Sequence, residues 1–240
     1  MKRNSFFDRA LCLFFPRRCK YCGEVIAPEN EICENCRELP VISGEVCFDC
    51  GYSKSECSCK NKKHYYDRIA APFYYEGAVE TAVSRLKFNN LPFLAKEYAA
   101  DMADTLGERF LDDTHYDLIM YVPASGSTIR KREYNQSELL ADGISEITGI
   151  PVSHSLVKIY ETGIQHSMPR FDRTGNVFAA FDLKDKDELA GKNILLVDDI
   201  KTTGSTLNEC AKLLKIYGAG QVDCICFAVA KWKQNIDTED

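Results

Sequence analysis

Residues 193–214 read NILLVDDIKTTGSTLNECAKLL. Two adjacent carboxylates, Asp198 and Asp199, follow four apolar residues. Neighbouring acids repel one another and lose hydration at the end of a buried strand, so something must use them. Behind them come Lys201, Thr202, Thr203, Gly204, Ser205 and Thr206. Hydroxyls of small bulk, a glycine that admits close backbone approach and the free N–H groups of a following helix together suit a phosphate. Carboxylates a few residues upstream suit the vicinal hydroxyls of a sugar. The stretch therefore fits a 5-phosphoribosyl group, with the phosphate on the loop and the diol on the acids. It contains neither GxxxxGK[ST] nor GxGxxG, which sets it apart from the common nucleotide loops.

A second chemistry lies near the N-terminus. Nine of the twelve cysteines fall between Cys12 and Cys59. Eight are paired as Cys19-x-x-Cys22, Cys33-x-x-Cys36, Cys47-x-x-Cys50 and Cys57-x-Cys59. Such turns bring two thiolates onto one tetrahedral ion, and four pairs suffice for about two structural zinc ions. Gly23 and Gly51 each follow the second cysteine of a pair, where a knuckle favours positive φ. Spacing alone admits sequential ligation by pairs one with two and three with four. It also admits interleaved ligation, and His64 as a substitute for one ligand of the shorter Cys57-x-Cys59 pair. A reduced compartment argues against disulfides. Cys12, Cys210, Cys224 and Cys226 read as small buried hydrophobes.

These sites need elements to hold them. With 45% apolar and 28% charged residues in 240, the chain reads as a globular domain plus a small extra module. A net charge of −6 supplies no general attraction for nucleic acid or membrane. No run approaches the ~20 apolar residues of a transmembrane helix, so no membrane insertion and a cytoplasmic location are expected. The first module spans residues 1–64, a Cys-rich zinc-ribbon-like unit with a short N-terminal helix. The second spans 65–240. There, strands are expected over Arg68–Tyr75, Asp117–Val122, Asn193–Val197 and Val222–Val229, and helices over Ala78–Phe88, Phe93–Phe110, Gln136–Thr148 and Ser205–Tyr217. Residues 161–176 read as a polar loop. Strands alternating with helices imply an α/β fold with a mainly parallel sheet.

Residues 194–206 resemble the phosphoribosyl-pyrophosphate motif of type I phosphoribosyltransferases. The resemblance widens through the cysteine module, YEGAVETAVSRLKF, Val122-Pro123, REYNQSELLA and then Gln165, Arg170, Arg173 and Asn176. Taken in order, these segments resemble the ComF family of competence-associated, phosphoribosyltransferase-like proteins. The resemblance implies a twisted parallel sheet flanked by helices, phosphoribosyl pyrophosphate with Mg2+ as the ligand, and a link to DNA uptake. Two departures stand out: Glu133 replaces a frequent glycine, and Ala-Ser-Gly-Ser at 124–127 replaces a second proline followed by Leu-His.

Pyrophosphate departs with high negative charge, so the chemistry asks mainly for cations. Lys87, isolated between Leu86 and Phe88, is the first candidate, and Arg173 in the polar loop is another. With Asp198 and Asp199 these form the expected catalytic set. Ala124, Ser125, Arg130 and Arg132 form the expected pyrophosphate-binding set. The metal ion would bridge ribose hydroxyls and pyrophosphate oxygens, with the two acids acting through the sugar or water. Thr202 stands where some relatives carry an acid, so the chain offers no general base, and an unprotonated nucleophile needs none. His154 and His166 are alternative acid–base groups. Two functions of different class follow: a phosphoribosyltransferase acting on phosphoribosyl pyrophosphate or a nucleotide, and a non-catalytic adaptor for single-stranded DNA and a competence helicase.

Overall fold

The computed structural model describes residues 15–59, 63–89, 91–159 and 180–231, together with the backbone of strand residues 170–171 and 177–178. Element order is β1 (Arg68–Ala70), β2 (Phe73–Tyr74), α1 (Ala78–Phe88), α2 (Leu94–Arg109), β3 (Leu118–Tyr121), α3 (Gly126–Arg132) and α4 (Gln136–Thr148). There follow β4 (Leu156–Lys158), β5 (Arg170–Phe171), β6 (Val177–Phe178), β7 (Phe181–Leu183), β8 (Ile194–Lys201), α5 (Ser205–Ile216) and β9 (Val222–Val229).

The main sheet is parallel throughout, in the order β1-β9-β8-β3, with β2 pairing further along β9. Its centre is apolar because both faces are covered. Val79, Tyr98, Met102, Leu140 and Ile144 of α1, α2 and α4 pack with Leu195, Val197 and Phe227. Leu207, Leu213 and Leu214 of α5 pack with Leu196 and Cys224 on the other face. Cys210, Cys224 and Cys226 are fully buried there, as their patterns indicate.

Three differences from the sequence expectation have physical causes. The strand expected over Arg68–Tyr75 is broken at Ala71–Pro72. Proline has no N–H to give a ladder, and Pro72 instead offers its carbonyl to the Ile42 N–H at 2.9 Å. The strand expected to end at Val197 continues to Lys201, because Asp198, Ile200 and Lys201 keep pairing with Cys226, Ala228 and Val229. Of the expected loop 161–176, Arg170 and Phe171 form an antiparallel ladder with Phe178 and Val177. Residues 161–169 and 172–176, with Arg173 and His166, lie outside the described residues, as does Cys12.

The cysteine-rich segment is stitched to the sheet edge and to α1 and α2. The Tyr74 N–H donates to Pro40 O, and the Ile69 N–H to Phe48 O. Arg85 of α1 is 9% exposed, and its Nη1 donates to the carbonyls of Cys19, Lys20 and Tyr21. Lys20 and Tyr21 both bond Asp101 of α2, at 2.9 Å each.

Candidate functional site

The two cysteine clusters form sequentially along the chain. Cys19, Cys22, Cys33 and Cys36 make one, and Cys47, Cys50, Cys57 and Cys59 the other, with the sulfurs of each within 4.8 Å of one another. Tetrahedral zinc with bonds of about 2.3 Å wants sulfurs roughly 3.8 Å apart. The Cys22–Cys33, Cys47–Cys59 and Cys50–Cys57 sulfurs lie at 3.5, 3.5 and 3.6 Å, close to that spacing, and the shorter Cys57-x-Cys59 pair is tighter at 3.1 Å, so each set gathers four donors that suit the ion. Interleaved ligation is thereby set aside. His64 stacks on Tyr66 with ring centroids 4.5 Å apart and stands outside both clusters. Gly23 and Gly51 do take positive φ, 83° and 81°.

The second site gathers at the carboxyl ends of β3 and β8, where α/β sheets bind ligands. β8 carries Asp198 and Asp199 as its fifth and sixth residues, still inside the ladder to β9. Gly204 follows with φ 81°, a left-handed turn that starts α5. A Cβ there would come within 3.1 Å of Lys201 Cε. A recess of about 30 Å3 is lined by Asp198, Ile200 and residues 201–207. Lys201 is only 5% exposed and lies over the Tyr52 ring at 5.8 Å, so its stem helps to shape the loop. The Ser205 N–H is held by Thr203 Oγ1 at 3.3 Å, and the Thr203 and Ser205 hydroxyls bond at 2.6 Å. The Thr203 and Ser205 hydroxyls are thus held together on one turn.

The two acids stand in different surroundings. Asp199 Oδ2 is 2.8 Å from Lys87 Nζ at the end of α1, with both side chains mostly buried. Asp198 Oδ1 accepts from Ser137 Oγ and from the Asp199 N–H, each at 2.9 Å. Burial, then the adjacent Asp199 charge, pushes the Asp198 carboxyl up to about 7, while Ser137, the Asp199 N–H and Lys87 pull the other way. A pair of acids is tolerated because one has a cation and the other has two donors.

The helix-connecting segment 132–137 supplies the remaining wall. Arg132 Nη1 donates to Gln136 Oε1 at 3.0 Å, and its guanidinium lies over the Phe88 ring at 4.9 Å. The Tyr134 hydroxyl donates to Leu86 O at 2.6 Å. So Lys87, Ser137, Asp198 and Asp199 are brought together from α1, α4 and β8, with Arg132 of α3 held by the neighbouring Gln136 and Phe88. Ser125 caps α3, accepting the Thr128 N–H, beside Ala124 at the end of the β3 segment. Arg130 is exposed on the last turn of α3. Glu133, at the position where a glycine is frequent, takes φ 69° and caps that helix in the left-handed region. His154 bonds the Tyr121 hydroxyl at 2.9 Å and lies 3.3 Å from Glu138, in a cluster of its own. Ser137 and Asn135 are the site residues that residue-type reasoning missed. They sit inside REYNQSELLA, but a serine and an asparagine carry no signal until the fold shows what they face.

Residues 102–239 match the Phosphoribosyl transferase domain family, and residues 10–66 match the Double zinc ribbon domain. Competence protein F of Haemophilus influenzae is 30% identical over 221 residues, covering 87% of this chain and 95% of that protein. Competence protein ComFC of Bacillus subtilis is 26% identical, covering 79% and 80%. DNA utilization protein YhgH of Salmonella typhi is 29% identical, covering 87% and 89%. Among the described residues no helix is long and apolar enough to cross a membrane.

Proposed function

Since this chain belongs to the ComF family of phosphoribosyltransferase-domain proteins with a double zinc ribbon, we propose that it binds phosphoribosyl pyrophosphate with Mg2+ at the carboxyl end of β8, its 5-phosphate at the recess there, and transfers the phosphoribosyl group to a nucleophilic acceptor. The observation that carries this reading is the pairing of a hydroxyl-lined turn at Thr202–Thr206 with two restrained acids, Asp198 and Asp199, on one strand end. The 5-phosphate rests on the turn and the N-terminus of α5. The ribose diol donates to the acids. Mg2+ would be held through the ligand, and when bound it would offset the charge of the departing pyrophosphate. Arg130 and Arg132, with Arg173, supply further cations for pyrophosphate. Lys87 joins them when ligand displaces it from Asp199. The acceptor is a nucleophile that arrives unprotonated.

Titration calorimetry with phosphoribosyl pyrophosphate and Mg2+ tests the binding, and a nucleobase screen for released pyrophosphate tests the transfer. Asp198→Asn with Asp199→Asn is expected to weaken binding at least tenfold with the fold retained. Absence of heat with the native chain would remove the reading.

A second reading is favoured by the names of the relatives, which point to competence and DNA utilization. In it the chain is a cytoplasmic adaptor that uses the same recess without turnover and holds single-stranded DNA and a helicase. Ligand binding with no pyrophosphate released for any acceptor would support it.

A further inference from the structure

Among the described residues, the two hydrogen bonds to the Asp198 carboxylate fall on the same oxygen, Oδ1. Asp198 is one of the residues that line the recess. The terminal torsion of an aspartate is broad and roughly two-fold, so one backbone N–H from the next residue does not fix its plane. The second donor comes from Ser137 in the first turn of α4, 4% exposed. Ser137 is itself held. Its N–H donates to Asn135 Oδ1 at 3.2 Å, and Asn135, 5% exposed, donates from Nδ2 to Val122 O at 3.0 Å. Val122 follows β3 directly and opens the loop that leads to Ser125. A buried asparagine and serine therefore tie the exit of β3, the start of α4 and the acid of β8 into one unit.

We propose that Ser137 is a positioning residue. Its hydroxyl, held by Asn135, fixes Asp198 Oδ1, so that Oδ2 is the oxygen left for a vicinal diol beside the recess. The proposal rests on the reading of that recess as a phosphoribosyl site. An alanine at 137 leaves the acid free to turn. A threonine keeps the same donor. Around Asp198 lie Asp199 and Lys201 on its own strand, Lys87 from α1, Cys226 opposite it on β9 and Cys210 from α5. Lys158 of β4 acts on Cys210 behind it. Among these, the Ser137 hydroxyl is the group that opposes protonation most strongly, ahead of the Asp199 N–H and Lys87.

The test uses the full-length, zinc-loaded protein and follows aspartate carboxyl carbons by NMR across pH, with Asp198→Asn to assign the signal. Ser137→Ala is expected to move the Asp198 midpoint upward from about 7. Ser137→Thr is expected to restore it. Ser137→Cys, a weak donor of similar size, serves if the alanine variant does not fold, and should move the midpoint the same way. In parallel, calorimetry with phosphoribosyl pyrophosphate and Mg2+ should show about tenfold weaker binding for Ser137→Ala, recovered in Ser137→Thr. An unmoved carboxyl midpoint overturns the proposal, as does lost affinity that threonine fails to recover. If the native chain binds no phosphoribosyl pyrophosphate, the ligand reading fails on its own. The carboxyl titration then still decides whether Ser137 holds Asp198.

Discussion

At the scale of single residues, the site depends on how a protein keeps two acids side by side. Lys87 neutralises Asp199, and Ser137 with one main-chain N–H restrains Asp198. The cost falls on Asp198, whose midpoint is pushed up to about 7 by burial and by its neighbour. An unfolded aspartate titrates near pH 4. Between those values the folded chain keeps a proton that the unfolded chain releases, so stability falls as pH rises. The penalty is absent below about pH 4 and complete above about pH 7. Asp198→Asn retains an acceptor for Ser137 and removes the charge. Its melting temperature is therefore expected to match that of the native chain near pH 4 and to exceed it increasingly toward pH 8, even as ligand binding is lost. Thermal scans over that range check it. A gain that shrinks with rising pH would contradict the burial account.

At the scale of elements, helix ends position what the residues need. Glu133 closes α3 with φ 69°, the one non-glycine residue with positive φ among the described residues. A left-handed conformation costs a side-chain residue about 1–2 kcal/mol, of which glycine's greater chain entropy gives back part. Glu133→Gly is expected to stabilise the fold by roughly 0.5–1 kcal/mol, read as a higher urea midpoint at unchanged slope. Arg85 and Lys87 share the last turn of α1, with Arg85 on the zinc knuckle and Lys87 on the acids. Arg85→Met leaves three carbonyls without a charged donor. A loss of about 2–4 kcal/mol in urea unfolding is expected, with zinc surrendered sooner to a chelator. The periodicity of α1, α4 and β9 was legible in the sequence to the residue, because their apolar patterns end at Gly77, Gly149 and Gln221. The break at Pro72 and the run of β8 through its acids were not, because ladder partners on β9 and in the ribbon decide both.

At the scale of the whole molecule, the ribbon and the sheet share their cores. Tyr21 and Cys19 lie in one cluster with Phe73 and Tyr98, and Tyr52 and Val46 lie in the other with Val229. Metal analysis is expected to return about two zinc ions per chain. Removing them under reducing conditions should lower the main calorimetric transition itself rather than abolish a separate small one. A main transition that keeps its temperature after zinc removal would show the ribbon to be an independent unit. Taken alone, the sequence determined what spacing within a few residues encodes: thiolate pairs that suit zinc, and two acids followed by a hydroxyl-rich turn. A turn and a short loop fix such geometry locally, so residue order suffices. Tertiary structure decided which cysteine pairs gather together, which cation faces Asp199 and which oxygen of Asp198 accepts from Ser137. Those choices join residues as distant as Lys87 and Asp199, or Ser137 and Asp198. Their contacts arise only when buried strands and helices close on one another, and no local pattern carries that information.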